Sequence, residues 1–240
     1  MDVPRAAAGR GLIAVVALAW VVLFVWSRSD YAPYLGHAGA PMTGATALSL
    51  FLGAWTLMVV ATMVPATAAL RRAFGPVAGR RRLTALLDAT FLIAWLCVGA
   101  VFYAGDLVVH NVAEGSETAA SLGERFLLPA TLVFAGAYQL SRFSRACLTR
   151  CRSPQGFLYR LWRGRPAVDT VKIGAVYALS CVGCCWALML TMFAVGMANL
   201  VWMALLTAIL LIDRAARGRS FSTATGWTLI FTGALLPVAG

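Results

Sequence analysis

Ser180-Cys181-Val182-Gly183-Cys184-Cys185-Trp186-Ala187-Leu188-Met189-Leu190-Thr191-Met192 is an uncharged, mostly apolar run that carries three thiols and two thioethers. It continues back to Ile173 and on to Phe193, close to the 20 or so apolar residues that a helix rising about 1.5 Å per residue needs to cross a bilayer. Read as a helix turning about 100° per residue, it places Cys181, Cys184, Cys185, Met189 and Met192 within about 140° of one face. The chain around it has the same character. Of 240 residues, 61% are hydrophobic and the mean hydropathy is +0.81, whereas apolar residues make up about half of a soluble domain. The reading is therefore an all-α, polytopic transmembrane helical bundle.

Working outward, the other apolar runs are Leu12 to Trp26, Ala45 to Leu70, Leu83 to Tyr103, Phe126 to Leu140 and Leu200 to Ile212, with a short last segment at Trp227 to Leu236 that spans or lies in the interface. Pro65 is expected to kink the second run. The first run has the basic start and apolar core of a signal peptide, but Trp26-Ser27-Arg28-Ser29-Asp30 is no small-x-small cleavage site, so it reads as a span. Five arginines follow the second run, from Arg71 to Arg82, and eight basic residues from Arg142 to Lys172 follow the fourth. With the amino terminus in the cytoplasm, Arg28 and Arg125 alone among the 20 Lys and Arg lie outside, the asymmetry that the positive-inside rule describes. The expectation is six or seven spans, amino terminus cytoplasmic, in one transmembrane domain over residues 1–240 of a bacterial inner (plasma) membrane protein. The net charge of +11 then calls for no nucleic-acid partner. Membrane lipids are the partners it does imply, since a basic residue near an anionic surface gains about 1 kcal/mol.

The six cysteines fall in clusters, Cys147 with Cys151 and Cys181 with Cys184 and Cys185, while Cys97 stands alone in an apolar run. A secreted disulfide framework would set its cysteines in polar loops, so metal or redox chemistry is the better reading. Cys and Met are the ligands that select Cu(I), with zinc as the thiolate alternative. Cys147 and Cys151 stand at i and i+4, on one helix face, among arginines expected to favour thiolate. On the other side, His37 and Met42 in Leu35-Gly36-His37-Ala38-Gly39-Ala40-Pro41-Met42 are an imidazole and a thioether suited to capture. Met58 and Met63, beside Pro65, continue a route inward. Asp106, His110 and Glu114 recur at i, i+4 and i+8 after the third span, in what reads as a solvated acidic loop. Asp88, near an end of that span, is expected to pair with an arginine. A phosphate-cradling glycine loop, a His-Glu-x-x-His and a nucleophile elbow are all missing, so hydrolytic machinery is not visible.

Four stretches carry a resemblance. Ala54-Trp55-Thr56-Leu57-Met58-Val59-Val60-Ala61-Thr62-Met63-Val64-Pro65 is the first, and Ala137-Tyr138-Gln139 with Cys147-Leu148-x-x-Cys151-Arg152-Ser153-Pro154 the second. Cys181-Val182-Gly183-Cys184-Cys185-Trp186-Ala187-Leu188-Met189 and Gly196-Met197-x-Asn199-Leu200-Val201-Trp202-Met203 complete the set. Together they resemble the DUF2182 family of predicted metal-binding integral membrane proteins, over about residues 50 to 215. The resemblance implies a polytopic helical bundle with a metal role, often assigned to copper handling. Two departures stand out. Thr62 occupies the first of two adjacent Met positions of the family, leaving Met63, and Asp213-Arg214 replaces the usual Glu-Lys pair.

The expected function is binding of Cu(I) by intramembrane Cys and Met, for transport or for delivery to a membrane cuproenzyme or exchange with a metallochaperone. His37 and Met42 would capture the ion, Met58 and Met63 relay it, Cys181, Cys184, Cys185 and Met189 hold it, and Cys147 with Cys151 exchange it. One rival is a structural or assembly subunit whose cysteines merely pack. Another is a membrane thiol-disulfide oxidoreductase, which needs an exoplasmic cysteine pair that the outer loops lack.

Overall fold

Each stretch read as an apolar run forms helix. In the computed structural model, which describes residues 3–29, 45–79, 81–114, 117–195, 199–216, 218 and 220–239, the order is α1 (Val3–Ser27), α2 (Ala45–Thr62), a short 3-10 helix (Pro65–Thr67), α3 (Ala68–Ala78), α4 (Arg81–Glu114), α5 (Glu117–Gln139), α6 (Arg142–Arg152), α7 (Gln155–Leu161), α8 (Pro166–Val195), α9 (Leu200–Ala215) and α10 (Ser220–Ala239). No strand occurs among the described residues. Among the described residues three helices are long and apolar enough to cross a membrane, at Ala45–Thr62, Arg81–Val108 and Pro166–Met192, and Gly11–Ser27 and Phe126–Gln139 are shorter apolar helices. Ile13, Leu18, Val21, Ile93, Val101, Leu179, Val201 and Phe231 point outward, an apolar surface that a bilayer accommodates and water does not.

The centre is α8. Of its apolar window 67% is buried, against 22% for that of α4, and it packs on α4, α5, α6, α7 and α9. Helix α10 lies along α5, and its length extends the predicted last segment at both ends. The approach of these two is set by small residues: a Cβ on Gly136 would lie 2.5 Å from the Gly226 carbonyl oxygen, the close backbone contact typical of helix pairs in lipid.

Three details differ from the sequence reading. Pro65 ends α2 rather than kinking one long span. It has no N–H to give, the Val64 N–H reaches back to the Val59 carbonyl at 3.2 Å, and Ala66 and Thr67 continue with 3-10 bonds to Met63 and Val64. The buried Tyr177 hydroxyl donates to the Ala66 carbonyl at 2.7 Å across this break. The basic segment after α5 folds into the short helices α6 and α7 rather than a loop. Helix α4 persists to Glu114, so Asp106, His110 and Glu114 lie on a helix; the side chains of residues 109–125 are outside the described ones. Asp88 does pair with an arginine, Arg71, at 2.9 Å.

Candidate metal centre

The sulfur face of α8 is interior throughout: Cys181, Cys184, Cys185, Met189 and Met192 are all buried. The thiols of Cys184 and Cys185 both donate to the Cys181 carbonyl, at 3.1 and 2.9 Å, which keeps their sulfurs close together. All six cysteines are free, and Cys97 is exposed on α4, away from this face.

Helix α6 is brought onto that face by a short chain of polar contacts. Ser141 caps it, accepting from the Ser144 N–H at 3.1 Å. The Ser144 hydroxyl is buried between Gln139 Oε1 at 3.2 Å and the Cys184 carbonyl at 3.4 Å. At the end of α5, the Tyr138 hydroxyl donates to the Gly183 carbonyl at 2.6 Å. Gly183 itself leaves the space that Cys147 fills, for a Cβ there would lie 2.7 Å from Cys147 Sγ. One turn further along α6, Cys151 Sγ lies 3.9 Å from Cys184 Sγ. The loop pair and the α8 cluster, read separately from sequence, are thus one assembly.

The break at Pro65 supplies another ligand type. It turns the buried Met63 toward α8, with Sδ 3.8 Å from Cys185 Sγ. Met58 is buried on α2, while Met189 and Met192 continue the α8 face about 6 and 10 Å beyond Cys185 at 1.5 Å per residue. His37 and Met42 lie outside the described residues. Among the described residues no three His, Cys, Asp or Glu side chains converge as a ready-made metal group; the sulfurs meet as pairs, Cys151 with Cys184 and Cys185 with Met63.

The residue that sequence reading did not assign to the site is Arg214. Its Nη2 lies 3.0 Å from Cys181 Sγ and 3.7 Å from Cys184 Sγ, and its Nε and Nη1 are shut from solvent with no hydrogen-bond partner. The signal was present. Helix α8 ends at Val195 and α9 begins at Leu200, and Cys181 and Arg214 each lie 14 residues from those facing ends, hence level across a helical hairpin. Beside it, Arg152 straps α6 to the end of α9: Nη2 meets Asp213 Oδ1 at 3.2 Å, Nε the Asp213 carbonyl at 2.9 Å and Nη1 the Gly218 carbonyl at 2.9 Å.

The expected effect of the arginines on Cys147 and Cys151 is reversed. Burial, then the neighbouring Cys184, push the Cys147 thiol above the ordinary range against a smaller pull from Arg150. The hydrogen bond with Cys184, then burial, push Cys151 well above it. The nearby guanidinium groups are committed elsewhere, Arg145 Nε to the Ser141 carbonyl at 3.0 Å and Arg152 to Asp213.

These features define a class: an all-helical protein with helices fit for a bilayer, and a buried centre of thiols, a thioether and one arginine. Within it, the chain belongs to the copper chaperone family PpoB2, whose pattern matches residues 52–236. That match bears out a copper-related family, under a different family name from DUF2182, and extends past the resembling stretches to take in α10. No curated protein and no solved structure matches the chain.

Proposed function

We propose that this protein is a multi-pass membrane copper carrier, a single unit over residues 1–240 with its amino terminus in the cytoplasm, that binds Cu(I) as cargo and delivers it to a membrane cuproenzyme. The observation that carries the reading is the pairing of Cys151 on α6 with Cys184 on α8 at 3.9 Å, next to the pairing of Cys185 with Met63 at 3.8 Å. An ion about 2.3 Å from each sulfur of the first pair subtends roughly 115° between them, an open angle that leaves room for a further soft donor. Cys151 and Cys184 would bind as thiolates, and Cys185 and the neutral Met63 thioether would take over the ion by exchange of one ligand at a time. Cys147, on the same face of α6 and beside Gly183, would exchange the ion with a partner. Met58, Met189 and Met192 would extend the soft lining, and His37 with Met42 would act on the opposite side.

The test is elemental analysis of detergent-purified protein loaded with Cu(I) under reducing conditions, for wild type, Cys97→Ser, Cys151→Ser and Cys184→Ser. Stoichiometric copper is expected in the first two and its loss in the others. A folded wild type that retains no copper refutes the reading.

A further inference from the structure

The position of Arg214 bears on which ion this centre accepts. Its guanidinium is permanently charged. The neighbouring carboxylate, Asp213, is engaged by Arg152 at 3.2 Å, and the hydrogen bonds of Arg214 run to Cys181 and Cys184 at 3.0 and 3.7 Å while Nε and Nη1 have none. A buried cation left with two free donors is costly. It is tolerated where anionic charge is meant to develop beside it, and thiolates at Cys184 and Cys151 would be that charge.

We propose that Arg214 is the specificity-determining residue of the centre, a fixed countercharge that makes it select a monovalent thiophilic ion over a divalent one. This rests on the copper reading above. Two bound thiolates carry two negative charges, Arg214 one positive charge, and the Met63 thioether none. A monovalent ion therefore brings the buried centre to neutrality. A divalent ion leaves it with a net positive charge, which low-dielectric surroundings penalise. The size of the effect follows from Coulomb's law. At an ion-to-guanidinium distance of about 5 Å and an effective dielectric of about 20, each extra unit of ionic charge weakens binding on the order of a hundredfold.

The experiment is a pair of competition titrations, Cu(I) and Zn(II) each against a chromophoric chelator, on the full-length protein in detergent. Wild type, Arg214→Lys, Arg214→Gln and Arg214→Leu are compared, with helical content and a monodisperse elution profile required of each. The ratio of Cu(I) to Zn(II) affinity is expected to fall on the order of a hundredfold in the Gln and Leu variants and to hold within about tenfold in Lys, which keeps the charge. Leu and Gln differ in polarity and neither brings a soft donor to the site, so agreement between them isolates charge from packing. An unchanged ratio in both neutral variants, with wild type binding Cu(I), overturns the role of Arg214 and leaves the copper reading standing. An equal fall in Lys overturns it too, since shape and not charge would then be responsible. A wild type that binds no Cu(I) overturns the copper reading and this inference with it.

Discussion

Gly183→Ala probes whether α6 is held against α8 as the centre requires. The added Cβ would lie 2.7 Å from Cys147 Sγ and 3.4 Å from both Cys147 Cβ and Phe143 Cε1. Ordinary contact is about 3.7 Å, so α6 must yield by about 1 Å or Cys147 must leave its rotamer. Overpacking of this kind costs about 1–3 kcal/mol. Alanine's better helix propensity returns up to about 1 kcal/mol, which blurs the single variant. A double-mutant cycle with Cys147→Ala removes the ambiguity, because the propensity gain is present in both backgrounds whereas the 2.7 Å clash exists only where the sulfur does. The expected coupling is about 1–3 kcal/mol, read from equilibrium unfolding in mixed micelles, well above the additivity error of about 0.3–0.5 kcal/mol. A 1 Å outward shift of α6 also separates Cys151 from Cys184, so copper retention should fall in Gly183→Ala and recover in the double variant to the level of Cys147→Ala. Additive stabilities and unaltered copper retention would show that α6 does not rest on Gly183.

Three further outcomes follow from the same geometry. Arg152→Ala removes an ion pair and two bonds to carbonyls at the junction of α6 with α9 and is expected to cost about 2–4 kcal/mol in unfolding, with Arg152→Lys restoring part of it because a single ammonium cannot reproduce the fork. Tyr177→Phe leaves the Ala66 carbonyl at the Pro65 break without its 2.7 Å partner and should lower stability by about 1 kcal/mol, measured the same way. Copper affinity should strengthen as pH rises through neutrality: Cys151 is held protonated by its bond to Cys184 and by burial, the ion must displace that proton, and each proton displaced on binding gives about tenfold per pH unit. A chelator competition that is flat from pH 6 to 8 contradicts this.

The fold was legible wherever hydropathy decided it. Each apolar run became helix because a chain in lipid must satisfy its backbone internally, and the periodicity of Cys181, Cys184, Cys185, Met189 and Met192 gave the buried face of α8 correctly. The site was only half legible. Its donors were named, but spacing along one chain says nothing about which side chains meet across helices. Cys151 was assigned a station of its own, and it reaches Cys184 because Tyr138, Gln139 and Ser144 draw α6 onto α8. The thiol environment was misjudged for a related reason: a count of nearby arginines ignores where their donors are already committed. Pro65 was read as a kink in one span; there α2 gives way to a 3-10 turn whose backbone stays right-handed helical at Val64, Thr67 and Ala68, with the Tyr177 hydroxyl on the Ala66 carbonyl and Met63 beside Cys185.

The two halves of the centre are anchored in different ways, and on the proposed reading this is what suits it to giving an ion up. Cys184 and Cys185 belong to a 30-residue helix buried against five others. Cys151 belongs to an 11-residue helix, too short to cross a bilayer, that packs on α8 and is fastened there by the Ser144 hydroxyl, the Gly183 gap and the Arg152 strap. Each of those fastenings is worth only a few kcal/mol, within reach of a docking partner's binding energy. A partner that lifted α6 would withdraw one ligand of the first pair while Cys185 and Met63 remained on their own supports. The ion would pass along α8 or out to the partner without α8 itself having to move. Loosening the strap with Arg152→Lys should therefore speed copper transfer to an acceptor more than it lowers equilibrium affinity, and a variant in which the two change in equal measure would place the mobile element elsewhere.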